Sequence, residues 1–143
     1  MGKPLLRWRI PKTLRVEGRS MEPAYTAGQV IRISRLRGAS GPSRGHVVVF
    51  RSPSAPERLD LKRVIGVPHD HVGWRAGRFR INGVWLDEPY ARIRPAPPGD
   101  DQLLQCQLDA DEYVVAGDNR LYSEDSRRYG PIKRAEILGR VNA

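Results

Sequence analysis

The 143-residue sequence predicts an all-β protein, built from small coiled antiparallel sheets or a partly closed barrel, with little helix. Three observations support this. Apolar residues almost never recur at helical spacing. Short β-type runs recur instead along the whole chain. Fourteen glycines and twelve prolines punctuate those runs.

The runs, in order, are Gln29–Ile33, His46–Phe50, Leu59–Val67, Arg78–Ile81, Val84–Leu86, Glu112–Ala116 and Ile137–Val141. The fourth and fifth flank Asn82-Gly83, a dipeptide suited to a two-residue turn with positive φ at both centres, so they form a β-hairpin. Leu36–Gly45 is rich in Gly, Ser and Arg and reads as a loop. Arg94–Asp101, with Pro95, Pro97 and Pro98, reads as a second, mobile loop. The one helical turn expected is at Lys133–Ile137. The chain divides into a basic N-terminal segment, residues 1–15, and a single β domain, residues 16–143, a domain count that the length favours.

Composition removes several functional classes. With 39% apolar residues the chain is not disordered throughout. A single cysteine, Cys106, excludes an internal disulfide and a cysteine-based zinc cluster. No run approaches the roughly 20 apolar residues of a membrane span, and residues 1–19 hold no apolar block of leader length. The net charge of +9 is uneven: residues 1–50 carry ten basic and two acidic side chains, residues 101–143 six and eight. Such a basic third suits an anionic membrane face or nucleic acid, or is simply an arginine-rich solvated surface. Trp8, Trp74 and Trp85 lack the interleaved basic-aromatic pattern of a nucleic-acid-binding sheet, so no nucleic-acid partner is expected. His69-Asp70-His71 is too crowded, with no distant fourth ligand, to make a zinc site, and neither metal nor cofactor is expected. Cys106 stands in Leu103–Leu108 without a recognisable nucleophile motif and reads as an inert thiol.

Three segments concentrate polar chemistry. In Gly18-Arg19-Ser20-Met21-Glu22-Pro23, glycine lets the chain bend and Pro23 prevents a helix through Ser20. That would present one hydroxyl and its own N–H at a sheet edge, or merely start a turn. In Leu59–Val67, Lys62 stands in a protein that otherwise uses Arg over Lys by 21 to 4. Arginine cannot release its proton in a protein, whereas a desolvated lysine can. Beside Leu61, Val64 and Ile65, Lys62 could therefore act as a base toward Ser20; the alternative is a solvated edge lysine. The third segment, Gly117 to Pro131, follows an apolar run and carries Asp118, Asn119, Arg120, Ser123, Glu124, Asp125, Ser126 and Arg127. Asp125 and Arg127, two apart, could pair in an extended segment, and Ser123 could orient a lysine amine.

Together and in this order, these pieces resemble the type I signal peptidases. Gly18 to Pro23 is similar to their Ser-Met-x-Pro box. Arg44 to Phe50 and Lys62-Arg63-Val64-Ile65-Gly66 are similar to the next two boxes. Asn82-Gly83 with Glu88-Pro89-Tyr90 resembles their hairpin and the stretch that follows, and Gly117-Asp118-Asn119-Arg120 through Gly130 resembles their last box. The resemblance spans about Val16 to Val141. It implies a Ser/Lys serine endopeptidase that cleaves preproteins after small residues, in an Ala-x-Ala-like pattern. Ser20 would be the nucleophile and Lys62 the general base. Ser123 would hold the Lys62 amine in line, and Asp125 with Arg127, and Asp118 with Arg63, would buttress the site. Met21 and Ile33 would wall shallow substrate pockets, and the substrate would dock as an added strand to a monomeric enzyme.

The departures are specific. Gly18 stands where many relatives place a second oxyanion-donating hydroxyl, Ala24-Tyr25 replaces Thr-Leu, and Pro68-His69-Asp70 replaces Pro-Gly-Asp. The usual N-terminal anchor is not found. Three alternatives follow: the start lies downstream of the true one, or the enzyme is peripheral on an interfacial foot of Leu5, Leu6, Trp8 and Ile10, or it is a soluble cytoplasmic maturation protease similar to those of nickel superoxide dismutase. A non-catalytic basic β-module on nucleic acid or anionic membrane is the remaining alternative. A self-cleaving repressor is not expected, because the 19 residues before Ser20 in this sequence leave no room for a helix-turn-helix domain.

Overall fold

The computed structural model describes residues 10–36, 40–93 and 103–142. The strands are β1 (Thr13–Arg15), β2 (Val30–Arg35), β3 (Val47–Ser52), β4 (Ala55–Gly66), β5 (His71–Arg75), β6 (Arg78–Ile81), β7 (Val84–Trp85), β8 (Leu104–Gln107), β9 (Glu112–Ala116), β10 (Ile132–Lys133) and β11 (Ile137–Val141). One helical turn, α1, covers Ser126–Tyr129, and 3-10 turns cover Arg120–Tyr122 and Arg134–Glu136. A seven-stranded sheet runs β1-β2-β11-β3-β4-β9-β10 and a four-stranded sheet runs β7-β6-β5-β8. All strand pairs are antiparallel and the sheets do not close into a barrel.

The apolar run of β3 is continuous because both of its faces are covered. Val47 and Val49 join Met21, Ile31, Ile33 and Leu61 on one side. Val48 and Phe50 join Val64, Tyr113, Val115 and Ile132 on the other. A third cluster, with Ile65, Val72, Phe79, Ile81, Leu108 and Val114, fills the space between the two sheets. The pairing of β4 with β9 shifts register between Val64 and Gly66. A Cβ on Gly66 would stand 2.6 Å from Val72 Cγ2, so only glycine lets the small sheet approach this closely.

The Asn82-Gly83 hairpin forms as expected, with φ of 50° and 87° at the two turn residues. The expected helical turn at Lys133–Ile137 is the 3-10 turn Arg134–Glu136. Four strands were not anticipated. β1 has three residues and β10 two, too short for a periodic signal. β8 is largely exposed and glutamine-rich, and β5 is interrupted by Gly73. β4 also starts earlier than expected, at Ala55, in a polar arm. His69 adopts φ 73°, a left-handed conformation that a glycine would reach without strain. The expected loop Arg94–Asp101, and Leu5, Leu6 and Trp8 of the expected interfacial foot, lie outside the described residues. No helix among the described residues is long and apolar enough to cross a membrane.

Candidate active site

The turn after β1 carries Ser20, and the segment after β9 straps it in place. Asn119 N donates to Ser20 O at 2.9 Å, and Asn119 Nδ2 donates to Arg19 O at 3.1 Å. The contact is close: a Cβ on Gly117 would lie 2.6 Å from Ser20 O and 2.2 Å from Ser123 Oγ. Gly18 reaches the turn at φ 73°, and a Cβ there would meet nothing within 4 Å, so conformation rather than space favours glycine.

Ser20 and Lys62, separated by 42 residues, meet here. Lys62 Nζ lies 2.8 Å from Ser20 Oγ. β4 delivers the lysine from the middle of the large sheet, and the residue is only 3% exposed. Its second partner was not anticipated: Nζ lies 3.1 Å from Asp60 Oδ1. The period of a strand carries this signal, because residues two apart share a face. Ser123, by contrast, is not bonded to the amine. Its Oγ accepts from Gly117 N at 3.1 Å and donates to Asp125 Oδ2 at 2.6 Å. A hydroxyl has one proton to donate, and the buried carboxylate takes it in a charge-assisted bond.

The two expected ion pairs are present. Arg63 Nε and Nη2 bind both oxygens of fully buried Asp118, at 2.9 and 2.7 Å, while the guanidinium lies over Tyr90, 4.1 Å from the ring centroid. Arg127 Nε and Nη2 bind both oxygens of Asp125, at 2.8 and 2.9 Å. This second pair does not span an extended segment. Asp125 caps α1, accepting from Arg127 N, and Arg127 lies in the first turn. Burial works to raise the Asp125 carboxyl, but Arg127, Ser123 and Gly117 N outweigh it and hold it below its ordinary value.

A further pair escaped the sequence reading. Arg120, 4% exposed, binds Glu88 through Nη2–Oε1 at 2.6 Å and Nη1–Oε2 at 3.1 Å. Its Nε donates to Gly117 O at 2.7 Å and its guanidinium lies 4.8 Å from the Phe79 ring centroid. It thus ties the small sheet to the strap over Ser20. Both residues stood inside segments singled out in the sequence, but nothing in their spacing, 32 residues apart, joins them.

Beside Ser20 lies a groove of about 310 Å³, walled by residues 14–17, Ser20 and Met21 on one side and residues 57–61 on the other. β1 is the outer strand of its sheet. β4 pairs with β9 only between Arg63 and Gly66, so residues 57–61 present an edge that β9 does not cover. Met21 contributes to the groove wall. Ile33 does not: it faces the apolar cluster that includes Met21.

The other residues weighed in the sequence are engaged elsewhere. Asp70 accepts from Arg44 at 2.8 Å, Val67 N at 3.0 Å and Asn82 Nδ2 at 3.0 Å, and His71 Nε2 lies 2.6 Å from Gln105 Oε1. Cys106 packs on the inter-sheet cluster, where burial pushes its thiol up.

A family described as signal peptidase, peptidase S26 matches residues 4–143. Signal peptidase I of Bacillus caldolyticus is 34% identical, the match covering 89% of this chain and 75% of that protein. Signal peptidase I V of Bacillus subtilis is 28% identical, over 90% of this chain and 82% of its own. The crystal structure of a signal peptidase I from Enterococcus faecalis superposes with a TM-score of 0.61 at 30% identity, over 73% of this chain and all of that one. The chain therefore belongs to the signal peptidase, peptidase S26, family and is a serine endopeptidase of the signal peptidase I type.

Proposed function

We propose that the chain cleaves preproteins after small residues, in an Ala-x-Ala-like pattern, with Ser20 as nucleophile and Lys62 as general base. The observation that carries this reading is the 2.8 Å contact between Lys62 Nζ and Ser20 Oγ. The substrate lies extended in the groove, adding as a strand to the open edges of residues 14–17 and 57–61. The free amine of Lys62 takes the Ser20 proton as Oγ attacks the scissile carbonyl. The tetrahedral oxyanion faces the Ser20 N–H. Lys62, now an ammonium, returns the proton to the departing amine, leaving an acyl ester on Ser20. Water, deprotonated by the same amine, hydrolyses that ester. Asp118–Arg63 and Asp125–Arg127 buttress the strap that holds the nucleophile turn.

The test is to incubate the protein with a preprotein carrying an Ala-x-Ala site and follow cleavage and covalent adducts by mass spectrometry. Cleavage at that site, an acyl adduct on the Ser20 peptide, and loss of both in Ser20→Ala are expected. Cleavage retained by folded Ser20→Ala overturns the assignment.

The same reading includes an anionic membrane surface beside the substrate. On the outer face of the small sheet the guanidiniums of Arg75, Arg78 and Arg80 lie 5.5, 5.3 and 5.7 Å from the centroid of the Trp85 ring. Strand pairing puts these four residues on one face, and the neighbouring hairpin residue Val84 is 70% exposed. Cations around an interfacial tryptophan suit phospholipid headgroups. Binding to vesicles containing phosphatidylglycerol is expected to fall at least ten-fold in Arg78→Glu/Arg80→Glu, with peptide cleavage in solution unchanged. Equal binding to purely zwitterionic vesicles contradicts it.

A further inference from the structure

We infer that Asp60 is the positioning residue for the Lys62 amine in this chain, the part expected of Ser123. The inference rests on the proposed reading of Lys62 as the base. A free amine has a single lone pair, and catalysis requires that pair to point at the Ser20 hydroxyl. The four-carbon stem of a lysine does not fix that direction, so the N–H groups must be held from elsewhere. Asp60 Oδ1 lies 3.1 Å from Nζ and also accepts from Leu61 N at 2.9 Å. The carboxylate is therefore pinned by the backbone of its own strand and passes that order to the amine. The strand makes the placement unconditional, because positions 60 and 62 project from one face of β4 however the strap behaves. Ser123 Oγ accepts from Gly117 N, donates to Asp125 Oδ2 and makes no hydrogen bond to the amine.

Asp60 also belongs to the groove wall. A docked peptide covers it, removing the water that competes for its oxygens and tightening its hold on Nζ. Arg15, Glu17, Glu57 and Arg58 line the same groove. From α1, the buried Tyr129 hydroxyl feels the Asp60 charge, together with those of Asp125 and Glu124.

The experiment compares Asp60→Ala, Asp60→Asn and Asp60→Glu for kcat and KM on a preprotein with an Ala-x-Ala site, at neutral and at alkaline pH, alongside thermal unfolding. Asp60→Ala is expected to lose roughly ten- to hundred-fold in kcat with KM little changed. The loss is expected at neutral and at alkaline pH alike, as for a defect of geometry. Asp60→Asn, whose amide oxygen still accepts an N–H, keeps most of kcat. Asp60→Glu keeps the charge but displaces its oxygens, and loses at least ten-fold. That variant carries the test if Asp60→Ala does not fold. Unchanged kcat in Asp60→Ala and Asp60→Glu, a rise in KM alone, a deficit that vanishes at alkaline pH, or an equal loss in Asp60→Asn overturns the inference. Failure of the underlying reading looks different: Lys62→Ala itself would stay active.

Discussion

Lys62→Ala is expected to reduce preprotein cleavage by roughly 10⁴-fold or more, and Lys62→Arg by as much. The arginine variant is the informative one. It keeps the positive charge and much of the stem, so an electrostatic or packing role for the lysine would leave substantial activity. A guanidinium does not release its proton in a protein and cannot accept one from a serine hydroxyl. The structure adds a steric reason. Nζ lies within hydrogen-bonding distance of both Ser20 Oγ and Asp60 Oδ1, and the residue is 3% exposed, so a planar fork has no room to reproduce that contact. Initial rates on an Ala-x-Ala preprotein, with circular dichroism to establish folding, check this. A folded Lys62→Arg protein within ten-fold of the wild-type rate removes lysine as the base.

Asp125→Ala is expected to destabilise the fold by about 3–5 kcal/mol, the usual cost of stripping one partner from a buried ion pair. Asp125 is 1% exposed and serves four groups: Arg127 through two contacts, the Arg127 N–H, Gly117 N and the Ser123 hydroxyl. Removing it uncaps α1 and leaves the Arg127 cation without its counter-charge. Asp125→Ala/Arg127→Ala should recover part of the loss, and denaturant unfolding of both variants measures the coupling. The pH dependence has a definite sign. The carboxyl titrates lower in the folded than in the unfolded chain, so its contribution is present above the ordinary carboxylate value. It fades as pH falls toward the depressed folded value. Wild type should therefore lose stability on acidification more steeply than Asp125→Ala, and parallel acid profiles would contradict this.

The parts of the site that were legible in the sequence are those whose chemistry is written in residue choice. Lys62 stands out in a chain with four lysines and twenty-one arginines, and Asn82-Gly83 dictates its own turn. Asp118 and Asp125 were paired with the right arginines, but the reason offered for the second pair was wrong in its local structure. Strand geometry favoured an extended pairing, whereas a helix start won because Asp125 satisfies the free N–H groups of α1. Ser123 turns to other partners, its hydroxyl donating to the buried Asp125 carboxylate and accepting from Gly117 N, a choice that depends on the tertiary placement of the strap. Asp60 was overlooked although its spacing from Lys62 placed it on the same face. The Arg120–Glu88 pair was beyond reach, since it depends on how the small sheet meets the strap. β5 gives a weak signal because Gly73 interrupts its alternation, and β8 because it is largely exposed and glutamine-rich.

The strap across the turn that carries Ser20 also sets what a disturbance elsewhere costs the site. Asn119 N and Nδ2 hold the carbonyls of Ser20 and Arg19 from 100 residues away in the sequence, so the place of that turn is a tertiary property and not a local one. A substitution that loosens the strap is therefore felt at Ser20 even when no bond of Ser20 itself is altered.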